Sequence, residues 1–342
     1  MTLALLCSGQ GHQHPEMFRL TGNLAATQPL FDAAKLLLGW DPRDAAGKTD
    51  DHIAFRTDVA GQAADTSTSR CDASTAPAEA RCAEPDVFAN RPAQVLCTLQ
   101  ALAAHAALRD ALPRRLCVAG YSVGELAAWG VAGALPPLLT LQLAADRAAA
   151  MDAACHGAQG LLAVRGLDEP TMRALCVNNH AAIAIANPDS AWVVGGLNTD
   201  LTALAHAAQQ HGASRVTPLR VSVASHTPLM HAAAAAFKVN LFAAPLAGKL
   251  APGPRLFTGI DGAAVFDVHD GAVKLAAQIA QTIHWEACLQ SCIEAGATAF
   301  LELGPGHALA DMAASAYPGI PARSLDAFAT LESARAWIAR LT

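Results

Sequence analysis

Apolar runs and polar breaks alternate along most of the chain, and their lengths predict its elements. Residues 3–7 are a short apolar run ending in Ser8-Gly9-Gln10-Gly11, which predicts a buried first strand and a glycine turn. Residues 27–38 have the spacing of an amphipathic helix, and residues 92–108 that of an Ala/Leu-rich one. Residues 116–119 predict a second short strand, followed by Gly120-Tyr121-Ser122-Val123-Gly124 and helix from Glu125 onward. Residues 126–145 carry no charge and are long enough to span a membrane, but Pro136-Pro137 would break such a helix near its middle. This stretch reads as two buried helices joined by a proline turn, and no membrane is expected as a partner.

The clearest topological signal lies between residues 160 and 220. Strands over 161–164, 182–186, 192–195 and 215–219 alternate with helices over 169–176 and 201–210, with Asp168 placed to cap the first helix. The order βαββαβ is the split motif of ferredoxin-like folds. The expected architecture is an α/β body, residues 1–155 and 221–342, with a small α+β module, residues 156–220, inserted in it. Beyond the module the pattern predicts an Ala-rich helix, a hairpin around 256–266 and one long helix over 273–295. A strand over 299–303 then runs into Gly304-Pro305-Gly306. Residues 41–90 differ, being polar with few large apolar side chains. Within them 66–81 approach low complexity, so 48–84 are expected to be a surface excursion.

Composition narrows the function. Of 342 residues, 53% are hydrophobic and 15% charged, which excludes a disordered chain and permits a large core. The length suits two domains, or one large fold carrying an insertion. The formal net charge is −6 and the Lys and Arg form no run, which argues against nucleic acid as a partner. The 9 cysteines are odd in number and include no Cys-x-x-Cys, so neither a metal site nor a disulfide framework is expected. Free thiols in a reducing cytosol are the simplest reading, and residues 1–7 lack the basic head of a signal peptide.

Ser122 is the strongest chemical candidate. It sits in Gly-x-Ser-x-Gly between a predicted strand and a predicted helix, the context of a nucleophile elbow. The glycines relieve crowding at a strained turn, and the helix aims backbone N–H groups and a positive dipole end at the site. A nucleophilic serine needs a base, and 13 histidines compete for that place. His226 ends the run Val221-Ser222-Val223-Ala224-Ser225, where the module should rejoin the body, while His284 and His307 stay open as alternatives. His12, His14, His156 and His211 read as surface. Arg147, in an otherwise apolar helix, either snorkels outward or holds an anion. The backbone N–H of Gln10 could complete an oxyanion hole with that of Val123.

Five motifs together resemble one family. They are Ser8-Gly9-Gln10-Gly11, Gly120-Tyr121-Ser122-Val123-Gly124-Glu125, Arg147, Ser222-Val223-Ala224-Ser225-His226 and Leu303-Gly304-Pro305-Gly306-His307. They occur in the order seen in malonyl-CoA:acyl-carrier-protein transacylases, and the resemblance covers nearly the whole chain. Within that family the chain is most similar to the malonate decarboxylase epsilon subunit. Leu6-Cys7-Ser8-Gly9-Gln10-Gly11, Ala127-Ala128-Trp129-Gly130-Val131-Ala132-Gly133 and Ala322-Arg323-Ser324-Leu325-Asp326 carry that narrower likeness.

The resemblance implies an α/β-hydrolase-like body with a parallel sheet and an inserted ferredoxin-like subdomain. It implies Ser122 as nucleophile and His226 as base, oriented by a backbone carbonyl. It further implies Gln10 and Val123 amides at the oxyanion, Arg147 on the malonyl carboxylate, and Gln94, Asn187 and His284 as pocket candidates. The implied reaction is ping-pong malonyl transfer from malonyl-CoA, with no bound cofactor, to the phosphopantetheine-type arm of an acyl carrier protein. Other malonate decarboxylase subunits would be further partners. The chain departs from the family in having His284 before Trp285, where Gln or Arg is common, and in the length of the polar segment. The rival readings are a transacylase of fatty-acid or polyketide synthesis, a serine thioesterase or hydrolase using water, and a binding subunit without activity.

Overall fold

The structure is a computed structural model that describes residues 1–45 and 86–341. The polar segment expected over 48–84 therefore lies outside the described residues. Ten strands organise the rest: β1 (Thr2–Cys7), β2 (Leu116–Gly120), β3 (Gln159–Arg165), β4 (Ala182–Asn187), β5 (Ala191–Leu197), β6 (Arg215–Pro218), β7 (Pro254–Leu256), β8 (Ile283–His284), β9 (Ala297–Glu302) and β10 (Ala322–Ser324).

The first sheet is wholly parallel, in the order β10-β9-β1-β2-β7. A parallel sheet needs crossover helices on both faces, so its strands are apolar throughout rather than alternating. Accordingly every residue of β2, and residues 3–7 of β1, are buried. Successive side chains still point to opposite faces. Leu3 and Leu5 join a core formed with the Asn90–Leu108 and Pro137–Ala154 helices, while Ala4 and Leu6 join one containing Trp285, Leu289 and Leu309.

The second sheet runs β6-β3-β5-β4-β8. Its first four strands are antiparallel and carry the ferredoxin-like order expected of βαββαβ. One face, with Leu162, Val164 and Val194, packs on the Glu169–Asn178 and Asn198–Gln210 helices. The other sends Leu161, Ile185 and Val193 into the core beneath the parallel sheet. The first of those helices is capped by Asp168, whose carboxylate accepts from Thr171 N at 2.9 Å. The uncharged stretch divides at its prolines into the Val123–Val131 and Pro137–Ala154 helices, and among the described residues no helix is long and apolar enough to cross a membrane.

One expectation needs correction. The long helix over 273–295 is two helices, Val268–Ala277 and Trp285–Glu294, separated by a turn and by β8. Tertiary hydrogen bonds outcompete helix continuation there. The carbonyls of Gln278 and Ile279 accept from His226, Thr282 Oγ1 donates to Ile183 O at 2.7 Å, and β8 pairs with β4 in parallel. Thus residues beyond 220 supply the fifth strand of the small sheet. The hairpin expected around 256–266 does form, as a short one. Val265 N donates to Leu256 O at 2.8 Å, Thr258 N donates to Ala263 O at 3.0 Å, and Phe257 bridges Ala264 antiparallel. At its start β7 joins the parallel sheet beside β2.

Candidate active site

The site lies at the carboxyl end of the parallel sheet, in the turns after β1 and β2. Ser122 stands between β2 and the Val123–Val131 helix with φ 58° and ψ −121°, a strained conformation that lifts its side chain out of the turn. Two glycines make that turn possible. A Cβ on Gly120 would lie 2.1 Å from Gly124 backbone, and one on Gly124 would lie 2.1 Å from the Cys7 carbonyl. The helix is thereby drawn onto β1, and its first turn closes on the elbow, Gly124 N donating to Tyr121 O at 2.9 Å and Glu125 N to Ser122 O at 3.0 Å.

His226 sits in the loop that rejoins the body, also at positive φ, 62°, and is buried. Its Nε2 is 2.7 Å from Ser122 Oγ, and its Nδ1 is 2.5 Å from the Gln278 carbonyl. A carbonyl can only accept, so Nδ1 carries the proton and Nε2 is left to accept from the serine hydroxyl. Burial first, then the neighbouring Arg147 charge, push the imidazole down to about 3, so it stays a neutral base at ordinary pH.

Arg147 is 1% exposed, which removes the snorkelling alternative. Its Nη1 donates to Gln94 Oε1 at 2.7 Å and approaches Met151 Sδ at 3.3 Å, and its Nη2 donates to Gln278 Oε1 at 3.4 Å. Among the described residues no carboxylate forms an ion pair with it. Burial lowers it to about 10, still cationic at neutral pH. Gln94 is itself fully buried and held by Asn90 Oδ1 at 2.8 Å.

The Gln10 turn lies against the nucleophile. A Cβ on Gly9 would come 2.8 Å from the Tyr121 carbonyl and 3.5 Å from Ser122 Cβ. Ser8 Oγ, donating to Glu302 Oε1 at 2.7 Å, fixes the start of the turn. Asn187 and His284 are not hydrogen-bonded into this cluster. Asn187, at the end of β4, is buried beside the Tyr121 hydroxyl with Oδ1 unpartnered, and half-buried His284 pairs with Ala186 across β8. His307 is exposed and bonded to Asp311 at 2.6 Å, away from Ser122.

Sequence reasoning misses Gln278, where the chain's network converges. Its carbonyl holds His226, its Oε1 faces Arg147, and its Nε2 donates to Ser122 O at 2.9 Å and Glu125 Oε2 at 3.1 Å. Nothing in the local pattern singles it out, because residues 273–295 look helical. Glu125 is missed too, although a signal exists: it opens the uncharged stretch 126–145 that Asp146-Arg147 close.

A parallel α/β body carrying a half-buried serine on a strand–turn–helix, paired with a tautomer-locked histidine, defines an enzyme of acyl transfer. The chain belongs to the acyl transferase domain family, which matches residues 5–316. It is 32% identical over 216 residues to the malonyl CoA-acyl carrier protein transacylase of Mycobacterium bovis, covering 63% of this chain and 70% of that protein. The corresponding protein of Bacillus subtilis is 26% identical over 200 residues, covering 57% and 62%. Among solved structures it resembles the acyl-carrier-protein S-malonyltransferase of Burkholderia pseudomallei, with TM-score 0.80, 25% identity and coverage of 98% and 100%. The Mycobacterium tuberculosis MCAT gives TM-score 0.79, 26% identity and coverage of 97% and 99%. These names are those of transacylases, the reading held as the alternative above, and none is a malonate decarboxylase subunit.

Proposed function

We propose that the chain moves malonyl from malonyl-CoA to the thiol of an acyl carrier protein. The observation that carries this reading is Arg147, a buried guanidinium with only neutral hydrogen-bond partners, joined to the Ser122–His226 pair through Gln278. A planar guanidinium binds a carboxylate bidentately, and a malonyl group supplies one where acetyl does not. Ser122 Oγ attacks the thioester carbon as His226 Nε2 takes its proton. The amides of Gln10 and Val123 hold the developing oxyanion, a few kcal/mol in such sites. The C–S bond breaks and the CoA sulfur takes the proton from His226. The carrier thiol then gives its proton to His226 and attacks the ester, and Ser122 leaves with its proton restored. Gln94 orients Arg147, while Asn187 and His284 line the approach of the carrier's phosphopantetheine-type arm.

The carrier is the finer question. The transacylase names of the relatives favour a carrier of fatty-acid or polyketide synthesis. The motifs around Cys7, Trp129 and Ser324 favour the acyl-carrier subunit of malonate decarboxylase, and transfer assays with both carriers separate the two. The first test is intact-protein mass after brief mixing with malonyl-CoA or acetyl-CoA. On brief mixing a malonyl adduct without an acetyl counterpart is expected, the acetyl ester forming only on prolonged incubation. Free malonate without an adduct would make the protein a hydrolase, and neither adduct nor turnover would make it a binding subunit.

A further inference from the structure

One buried group beside the site has no part in the reaction above. Glu125 is fully buried, and its Oε1 has no hydrogen-bond partner among the described residues. Its Oε2 accepts from Gly259 N at 3.0 Å and from Gln278 Nε2 at 3.1 Å. The Oε1 of that same Gln278 amide accepts from Arg147 at 3.4 Å, so one side chain spans the gap between guanidinium and carboxylate. The other titratable groups that bear on this pocket are Asp261, the Cys288 thiol and His226. Asp261 is already paired with Lys274 at 2.6 Å, at the half-exposed rim. Arg147 is thus the cation that balances Glu125.

We infer that Glu125 is the internal counter-ion of Arg147 and takes up a proton on Oε1 when a substrate carboxylate occupies the guanidinium. The inference rests on the reading of Arg147 given above. In a water-poor pocket one guanidinium cannot balance two carboxylates, and an unbalanced buried charge is removed by protonation rather than tolerated. The substrate's carboxylate holds the bidentate position, so Glu125 is the one that neutralises. Its geometry permits this without rearrangement. A proton on Oε1 displaces no existing hydrogen bond, and Oε2 becomes the carbonyl oxygen that keeps both present donors. Burial already raises Glu125 to about 7 against the pull of Gly259, Gln278 and Arg147; sharing Arg147 raises it further. A malonyl ester would therefore arrive with a proton and an acetyl ester without one. Malonyl occupancy should then weaken relative to acetyl as pH rises above about 7.

Acylation itself moves the serine proton onto the CoA thiol, and any ionisation of that thiol is the same for both donors. The test is proton uptake in weakly buffered solution at about pH 8, read with an indicator dye and divided by the acyl-enzyme counted by intact mass, where an uptake of about one proton is the limit for a single site. Malonyl-CoA should give an uptake approaching that limit and acetyl-CoA none in excess of the thiol's. The malonyl uptake should shrink below about pH 6, where Glu125 is already protonated. Glu125→Gln should abolish it. Equal uptake with the two donors in the wild-type protein would overturn the proposal, and needs no variant to fold. Uptake that persists in Glu125→Gln would also overturn it and move the proton to His226. Equal malonyl and acetyl losses in Arg147→Ala would remove the parent reading, and this inference with it. Absent uptake with a selective Arg147 loss would remove this inference alone.

Discussion

Two glutamates flank the central strand β1, and their fates differ. Glu302 ends β9 on one side, and Glu125 lies in the first helical turn after β2 on the other. Both are fully buried, and burial raises each to about 7. Glu302 has both oxygens engaged, Oε1 by Ser8 Oγ at 2.7 Å and Oε2 by Ala310 N at 2.8 Å. It fastens the turn that carries Gln10 and faces no guanidinium. Glu125 has one oxygen open and shares its pocket with Arg147. Equal burial and equal shift therefore do not mean equal work. Whether the hydrogen-bonding capacity is filled separates a fastener from a group poised to change its charge.

Substitutions on the Arg147 side should act on chemistry, and those on the Glu302 side on stability. The largest effect is expected from Ser122→Ala: no acyl-enzyme by intact mass, and transfer reduced by about 10⁴-fold or more. Next is Arg147→Ala, which should reduce malonyl transfer by about 10²-fold more than acetyl transfer in parallel rate measurements. Equal losses would erase the distinction between the two flanks as far as the substrate is concerned. Gln278→Leu keeps the carbonyl that holds His226 but strips the amide from Ser122, Glu125 and Arg147. A fall in kcat of about tenfold or more is expected, each of these three hydrogen bonds to a charged or strained group being worth up to about that much. An unchanged kcat would confine the role of Gln278 to its backbone.

The smallest effect should be Glu302→Gln. Its acid is raised from 4.5 to about 7, so the native state holds more protons than the unfolded state between those values. The stability it contributes is fully present below 4.5 and is lost as pH rises through about 7. His226, lowered from 6.5 to about 3, works in the opposite sense: its neutral burial costs stability as pH falls from 6.5 toward 3. Thermal unfolding from about pH 4 to 8 should show less loss with rising pH in Glu302→Gln than in the wild type, with transfer rates changed by no more than about twofold. A large rate loss would bring Glu302 into the catalytic flank.

Much of the fold and half of the site are legible in the amino-acid sequence. The βαββαβ order, the strand–turn–helix around Ser122 and the proline break at Pro136-Pro137 follow from local periodicity and turn chemistry, which fold geometry rarely overrules. Ser122 stands out because its short motif is a local signal, whereas His226 is one of several candidate histidines until the family resemblance singles it out. Arg147 is visible as an isolated charge but undecided, since helix periodicity does not say how deep a helix is buried. Gln278 is invisible. A glutamine within a helical pattern carries no mark, and its importance comes from where residues far along the chain fold against it.

Local sequence dictates where strands, helices and tight turns form and which side chains have chemistry to offer, because backbone sterics and hydrophobic period act over a few residues. Tertiary packing alone decides where the expected 273–295 helix breaks, that β8 completes the small sheet, and that Gln278 binds Ser122, His226, Arg147 and Glu125 into one network. Those outcomes depend on hydrogen bonds between segments far apart in the chain. Such bonds form only once packing has removed the water that would otherwise satisfy the same groups.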